Sequence, residues 1–167
     1  MEEYRSKVRD AAVIRKDIQS LKAQGKRIVF TNGCFDLLHP GHTRYLWAAR
    51  QLGDYLIVAV NSDRSVRAIK GPGRPVVSQE GRTELLAALS FVDAVLIFDE
   101  DNPLHVIETL VPDILVKGGD WPEDEIIGAD VVKGSGGKVR RIPFIKGHSS
   151  TAIIEKIRMG VTASCKP

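Results

Sequence analysis

Cysteine, aromatic side chains and charge of one sign are all scarce in this sequence. Its two cysteines, Cys34 and Cys165, stand too far apart to suggest a disulfide scaffold or a thiolate metal site. They point to a reducing compartment. Aromatic residues make up 6% of the chain, and lysine plus arginine exceed aspartate plus glutamate only by 24 to 21. No arginine-rich run or interleaved basic and aromatic stripe accompanies that mild excess, which argues against a nucleic-acid partner and equally suits a pocket for phosphorylated small molecules. No apolar run approaches the ~20 residues of a membrane span, so no membrane partner is expected. The start, Met1-Glu2-Glu3-Tyr4-Arg5, lacks the basic opening and apolar stretch of a secretory signal, and the chain reads as cytoplasmic.

What is present is a repeating alternation. With 43% hydrophobic residues over 167 positions, the chain can build one packed core. We expect a single domain over 1–167, with an N-terminal helix at 11–24, a core over 26–158 and a frayed tail at 160–167. Short apolar runs read as strands at 27–31, 55–60, 94–98 and 113–116, and 138–142 is expected as a fifth strand. Stretches with helical periodicity lie between them, at about 42–52, 65–69, 82–89, 103–110, 123–133 and 150–158. The second run, Tyr55-Leu56-Ile57-Val58-Ala59-Val60, is apolar throughout, as strands covered on both faces are. Strands alternating with helices through short connections imply an α/β fold, a doubly wound, Rossmann-like parallel sheet of five strands with helices on both faces. Such sheets bind ligands beyond the carboxyl ends of their strands at the switch point. That rule singles out the loops 32–41, 61–75 and 117–121.

The first of these loops carries the most chemistry. In Thr31-Asn32-Gly33-Cys34-Phe35-Asp36-Leu37-Leu38-His39-Pro40-Gly41-His42, two histidines three apart flank Gly41 where a strand hands over to a helix. Free backbone N–H groups and the helix dipole favour phosphate at such a point. A glycine lets the phosphate approach the backbone, and two imidazoles on one turn can donate to its oxygens. Two other glycine-bearing segments fail as phosphate motifs. Gly134-Ser135-Gly136-Gly137-Lys138 is followed by Val139 where a P-loop needs Ser or Thr, and it precedes a strand. Gly71-Pro72-Gly73 follows a helix and is no dinucleotide fingerprint. With no P-loop, a kinase is disfavoured.

His39-Pro40-Gly41-His42 resembles the HxGH signature of the nucleotidyltransferase superfamily that includes the cytidylyltransferases. Ser149-Ser150-Thr151 matches its second signature, which holds nucleotide phosphates. Gly33-Cys34-Phe35-Asp36-Leu37-Leu38-His39 is similar to a stretch of the glycerol-3-phosphate cytidylyltransferases, with Cys34 in place of Thr. Val60-Asn61-Ser62-Asp63, Lys70-Gly71 with Arg74-Pro75, and Leu115-Val116-Lys117-Gly118-Gly119-Asp120 look more like the bacterial D-glycero-β-D-manno-heptose 1-phosphate adenylyltransferases. The likeness covers roughly 28–158. In that family the activity often forms the second half of a bifunctional protein carrying a sugar kinase, and this chain looks like the stand-alone form. One departure matters. The cytidylyltransferases open their second signature with Arg-Thr-Glu-Gly, whereas Phe144-Ile145-Lys146-Gly147 stands here, which leaves that arginine's role to Lys146 or Arg141.

The resemblance implies in-line attack by a sugar 1-phosphate on the α-phosphorus of ATP, with Mg²⁺ riding on the triphosphate, since no carboxylate cluster offers a cage. It implies His39, His42 and Lys70 as catalytic residues. Thr31, Asn32, Gly33, Cys34, Phe35, Gly41, Lys117, Gly118, Lys146, Ser149, Ser150 and Thr151 would bind the nucleotide. Asp36, Arg82 and Asp120 would meet the sugar phosphate. A homodimer and a separate heptose kinase acting in the same pathway complete the expectation. A cytidylyltransferase acting on a small alcohol phosphate, or a nucleotide-binding regulatory module without turnover, are the alternatives.

Overall fold

The computed structural model describes residues 3–119, 122, 125–143 and 147–164. Five parallel strands, β1 (Ile28–Gly33), β2 (Tyr55–Asn61), β3 (Ala94–Phe98), β4 (Ile114–Gly118) and β5 (Lys138–Ile142), form one sheet in the order β3-β2-β1-β4-β5. Among the described residues the α-helices are α1 (Ala11–Ala23), α2 (Pro40–Arg50), α3 (Asp63–Lys70), α4 (Gln79–Ala87), α5 (Leu104–Leu110), α6 (Ala129–Gly134) and α7 (Ser150–Ser164). This is the doubly wound, Rossmann-like architecture expected from the sequence.

The inner strands are largely apolar because both faces are covered. Ile28 and Phe30 of β1, with Ile57 and Ala59 of β2, pack toward Ile14 and Ile18 of α1, Ile107 and Leu110 of α5 and Val132 of α6. Val29, Leu56, Val58 and Val60 point the other way, onto Leu46 and Ala49 of α2 and Leu86 and Ala87 of α4. Successive strand residues thus serve opposite cores, as the pleat dictates. Strand entries are pinned by carboxylates: Asp113 accepts from the backbone N–H of Ile28 at 2.8 Å and Asp93 from that of Leu56 at 2.7 Å.

The chain runs outward from β1 through β2 to β3, then returns to lay β4 on β1's other side. The carboxyl ends of β1 and β4 therefore diverge into a crevice, and the phosphate-type loop and Lys117 both open there.

The largest differences from the sequence reading fall on two helices, α6 and α7. Of the helix expected over 123–133, the described residues form Ala129–Gly134, while 123 and 124 lie outside them. Gly128, at φ 84°, breaks it, and a Cβ there would sit 2.6 Å from Ile107 Cδ1. The last helix does not fray at 160; it continues to Ser164. Gly160 weakens a helix by about 1 kcal/mol against alanine but does not end one.

Candidate active site

Helix α2 begins earlier than its histidines suggest. Pro40 occupies its first turn, where its missing N–H costs nothing, and His39 is the extended residue that precedes it. This start stacks the two imidazoles. The rings of His39 and His42 lie 3.8 Å apart between centroids and 19° from parallel. The Nδ1 atoms of both are buried without a hydrogen-bond partner among the described residues. Burial, and then the neighbouring His39, lower the pKa of His42 to about 4. Burial, and then His148, lower that of His39. Both rings are thus held neutral near pH 7, as donors and acceptors rather than cations.

The loop ahead of α2 is shaped around this pair. Phe35 adopts a left-handed backbone at φ 46°, unusual for a residue with a bulky side chain. Its ring turns edge-on to His42, with centroids 5.3 Å apart. Gly41 serves a purpose the sequence reading did not give it: a Cβ there would lie 2.9 Å from the His39 ring and 3.0 Å from the Cβ of His148. The glycine makes room for two histidines first, whatever it also offers a phosphate.

Across the crevice, α7 presents its N-terminus. Ser149 caps it, accepting from the backbone N–H of Ala152 at 3.1 Å. Ser150 Oγ donates to the Leu37 carbonyl at 3.2 Å, tying the two signature segments together. Lys117, half-buried on β4, donates to Asn32 Oδ1 on β1 at 3.2 Å, and burial lowers its pKa. Between these walls lies a cleft of about 560 Å³. Of the residues singled out from the sequence, Asn32, Gly33, Cys34, Phe35 and Asp36 reach it from β1 and its loop, and His39, Gly41 and His42 from the start of α2. Lys70, Lys117, Gly118, Ser149, Ser150 and Thr151 complete the set. The Cys34 thiol is half-buried, and burial raises its pKa against the opposing pull of Lys70, Arg82 and Arg74, so it is held as a thiol.

Three residues take other positions. Arg82, expected at the sugar phosphate, is 1% exposed and does not reach the cleft. Its guanidinium donates to the carbonyls of Cys34, Asn61 (2.8 Å) and Val77 (3.1 Å) and to the Asp63 carboxylate (2.8 Å). It is a tie between loops. Asp36 borders the cleft but is 2% exposed and accepts from the Arg74 guanidinium and the backbone N–H groups of Val76 (2.7 Å) and Val77 (3.0 Å). Its carboxylate holds the 74–77 segment and is not presented to a ligand or metal. Thr31 is fully buried beneath the cleft. Its hydroxyl meets Tyr45 Oη at 2.7 Å; because Tyr45 donates to the Val116 carbonyl, Thr31 is the donor. Asp120 and Lys146, with Trp121, lie outside the described residues, and Arg141 sits exposed on β5.

The structure also brings in residues that the sequence reading did not assign: Arg74, Tyr45, Pro143 and His148. Arg74 follows the Lys70-Gly71 pair quoted above and was visible there as a second cation. Tyr45 carries only the helical spacing of α2, one turn beyond Gly41. His148 has no motif of its own.

Among the described residues there is no group of three His, Cys, Asp or Glu side chains that could hold a metal ion. Among the described residues Asp36 is the one carboxylate lining the cleft, and it is engaged by Arg74 and two backbone N–H groups. No helix among the described residues is long and apolar enough to cross a membrane.

A family model described as cytidylyltransferase-like matches residues 30–156. The bifunctional protein HldE of Syntrophotalea carbinolica is 52% identical over 155 residues, covering 93% of this chain and 32% of that protein. Its namesake from Geobacter sulfurreducens is 53% identical over 152 residues, covering 91% and 31%. The chain thus spans about a third of the length of these curated relatives. Among solved structures, the lipopolysaccharide core biosynthesis protein of Thermoplasma volcanium is 28% identical with a TM-score of 0.59, covering 74% of this chain and all of that one. Pantoate-beta-alanine ligase of Francisella tularensis, 16% identical at a TM-score of 0.59, covering 91% and 77%, shares the fold.

Proposed function

The chain belongs to the cytidylyltransferase-like family, and from that premise we propose that it transfers AMP from ATP to D-glycero-β-D-manno-heptose 1-phosphate, releasing pyrophosphate and giving ADP-heptose. The observation that carries the reading is the stacked His39–His42 pair at the start of α2, facing Ser149, Ser150 and Lys117 across one cleft. The choice of adenine and heptose rests on the sequence resemblance and on relatives about half identical to this chain that are named HldE.

An oxygen of the sugar phosphate attacks the α-phosphorus, forming one P–O bond as the bond to the bridging oxygen breaks. Charge grows on the oxygens of the leaving pyrophosphate and on the equatorial oxygens of the transferred group. His39 and His42 are held in place to donate to these oxygens, and a donor that need not reorganise contributes where charge develops. Lys117 and Ser150 hold the nucleotide. With Arg82 and Asp36 engaged inside the protein, Lys70 and Arg74 are the cations that meet the acceptor phosphate. Magnesium enters bound to ATP, as part of the substrate. A cytoplasmic setting, a homodimer and a separate kinase that supplies the sugar 1-phosphate belong to the same reading.

The test is a pyrophosphate-release screen of the four nucleoside triphosphates against heptose 1-phosphate and glycerol 3-phosphate. ATP with heptose 1-phosphate is the expected pair. A kcat/KM with CTP equal to or above that with ATP would overturn the adenylyl assignment and leave nucleotidyl transfer standing.

A further inference from the structure

The cleft holds a third imidazole for which the paired-histidine motif does not account. His148 directly precedes the Ser149 cap of α7, yet it folds back against the start of α2. Gly147, at φ 83°, makes that turn, and Gly41 leaves the space into which the His148 Cβ fits. Its ring lies 22° from parallel with that of His39, at a centroid separation of 6.4 Å. The three rings form a graded file. His42 is the most buried, His39 stands between, and His148 is exposed at the rim of the cleft.

We propose that His148 is a third phosphate-binding side chain, which takes the β- and γ-phosphates of the nucleoside triphosphate and then the departing pyrophosphate. This rests on the reading of the cleft as a nucleotidyl-transfer site and adds to it a side chain that neither the paired histidines nor the Ser149-Ser150-Thr151 match singled out. The reacting α-phosphate belongs with the inner pair, where the rings are shielded from water. The phosphates beyond it, and the pyrophosphate they become, must lie toward the opening through which the product leaves. His148 is the exposed member of the three and lines the same cleft as Ser150 and Thr151.

A packing role alone does not account for its position. The inner rings stack at 3.8 Å, whereas His148 stands off His39 at 6.4 Å, so the outer pair is not in face-to-face contact. Its electrostatic effect on His39 is to discourage protonation.

Binding of ATP, AMP and pyrophosphate to the full chain, wild type and variants, tests this directly. His148→Ala and His148→Phe are each expected to weaken pyrophosphate and ATP binding about tenfold, the lower end for a hydrogen bond to a charged group. AMP, which lacks the outer phosphates, is expected to bind each variant as it binds the wild type. His148→Gln, which keeps an N–H donor, is expected to recover most of the loss. His148→Phe with wild-type pyrophosphate affinity would make the ring a packing element and overturn the proposal. So would a loss of AMP affinity as large as that of ATP, because the site would then be generally disturbed. Wild-type binding left unchanged by all three variants overturns only the role of His148. A wild-type chain that binds neither ATP nor pyrophosphate overturns the nucleotidyl-transfer reading and this one with it.

Discussion

Substitution of Arg82 separates the position found in the structure from the one the sequence suggested. Its side chain is wholly buried, while that of its partner Asp63 keeps 25% exposure. The guanidinium joins carbonyls from β2 and two separate loops, those of Asn61, Cys34 and Val77. Arg82→Met conserves much of the volume but leaves Asp63 without its partner and three carbonyls without a donor. Removing one member of a buried ion pair costs about 3–5 kcal/mol. In a chain of this length each kcal/mol lowers the melting temperature by about 2–4 °C, so a fall of roughly 6–20 °C is expected. Arg82→Lys keeps the charge but not the planar fork that serves several acceptors at once, and its melting temperature should fall between the two. The assays are thermal and urea unfolding, with steady-state kinetics on Arg82→Lys below its transition. KM for the sugar phosphate should stay within about threefold of wild type, because the loss is of stability and not of ground-state binding. A melting temperature within about 2 °C of wild type together with a tenfold higher KM for the acceptor would refute the reasoning, placing the guanidinium on the substrate.

His42→Ala should lower kcat by about 10²–10³, the usual effect of losing one preorganised donor, with a smaller change in ATP affinity; near-normal kcat in the folded variant would end its catalytic assignment. Lys117→Ala is expected to slow turnover at least about tenfold while the melting temperature moves by only a few degrees, and an unchanged rate would leave the lysine with Asn32 alone. Gly41→Ala should divide stability from activity. Alanine favours the α2 backbone by up to about 1 kcal/mol, but its Cβ displaces the His39 ring, so turnover should collapse in a protein that melts near the wild type. Full activity in that variant would contradict the packing at Gly41. His42 titrates at about 4 in the folded protein against 6.5 ordinarily. Between those values the unfolded chain binds more protons, so stability rises with pH. The contribution is complete above pH 6.5 and lost by about pH 4. Discounted for partial exposure it is about 2 kcal/mol, and urea midpoints of wild type and His42→Gln that ran parallel across that range would refute it.

The strands were legible because burial on both faces leaves an unmistakable run. Tyr55–Asn61 and Ala94–Phe98 lie where the pattern put them. Helix starts were less so, although local signals existed. Ser78 caps α4 by accepting from Gly81 N–H, and Pro40 marks the first turn of α2, so the expected starts at Arg82 and His42 fall inside the helices. Gly128 and Gly160 show why a glycine is ambiguous in one dimension. The first marks the start of α6, with a positive φ and no room for a Cβ beside Ile107, whereas the second is carried along inside a helix. His39, His42, Ser150 and Lys117 meet in one cleft because strand ends and helix starts converge at the switch point. The roles of Arg82 and Asp36 were not legible, since what decides them is carbonyls and N–H groups supplied by segments up to 48 residues away. A basic residue on a helix reads the same whether its partners are a substrate or distant backbone.

The ladder between β1 and β4 is the shortest in the sheet. Only Val29–Ile114, Phe30–Leu115 and Thr31–Val116 are paired across it, against six pairs between β1 and β2 and five between β4 and β5. That thin ladder is also the seam between the first three strands and the last two, and the cleft sits at its mouth. A nucleotide touching His39 on one side and Ser150 on the other would act as a cross-brace over the weakest joint of the molecule. Amide exchange should then show β4 and β5 opening as a unit, ahead of β1 and β2, in the free chain. At a hundredfold excess of ligand over its dissociation constant, that opening would become harder by up to about 2.7 kcal/mol. Substrate occupancy and the cohesion of the two halves would be one equilibrium measured from two ends.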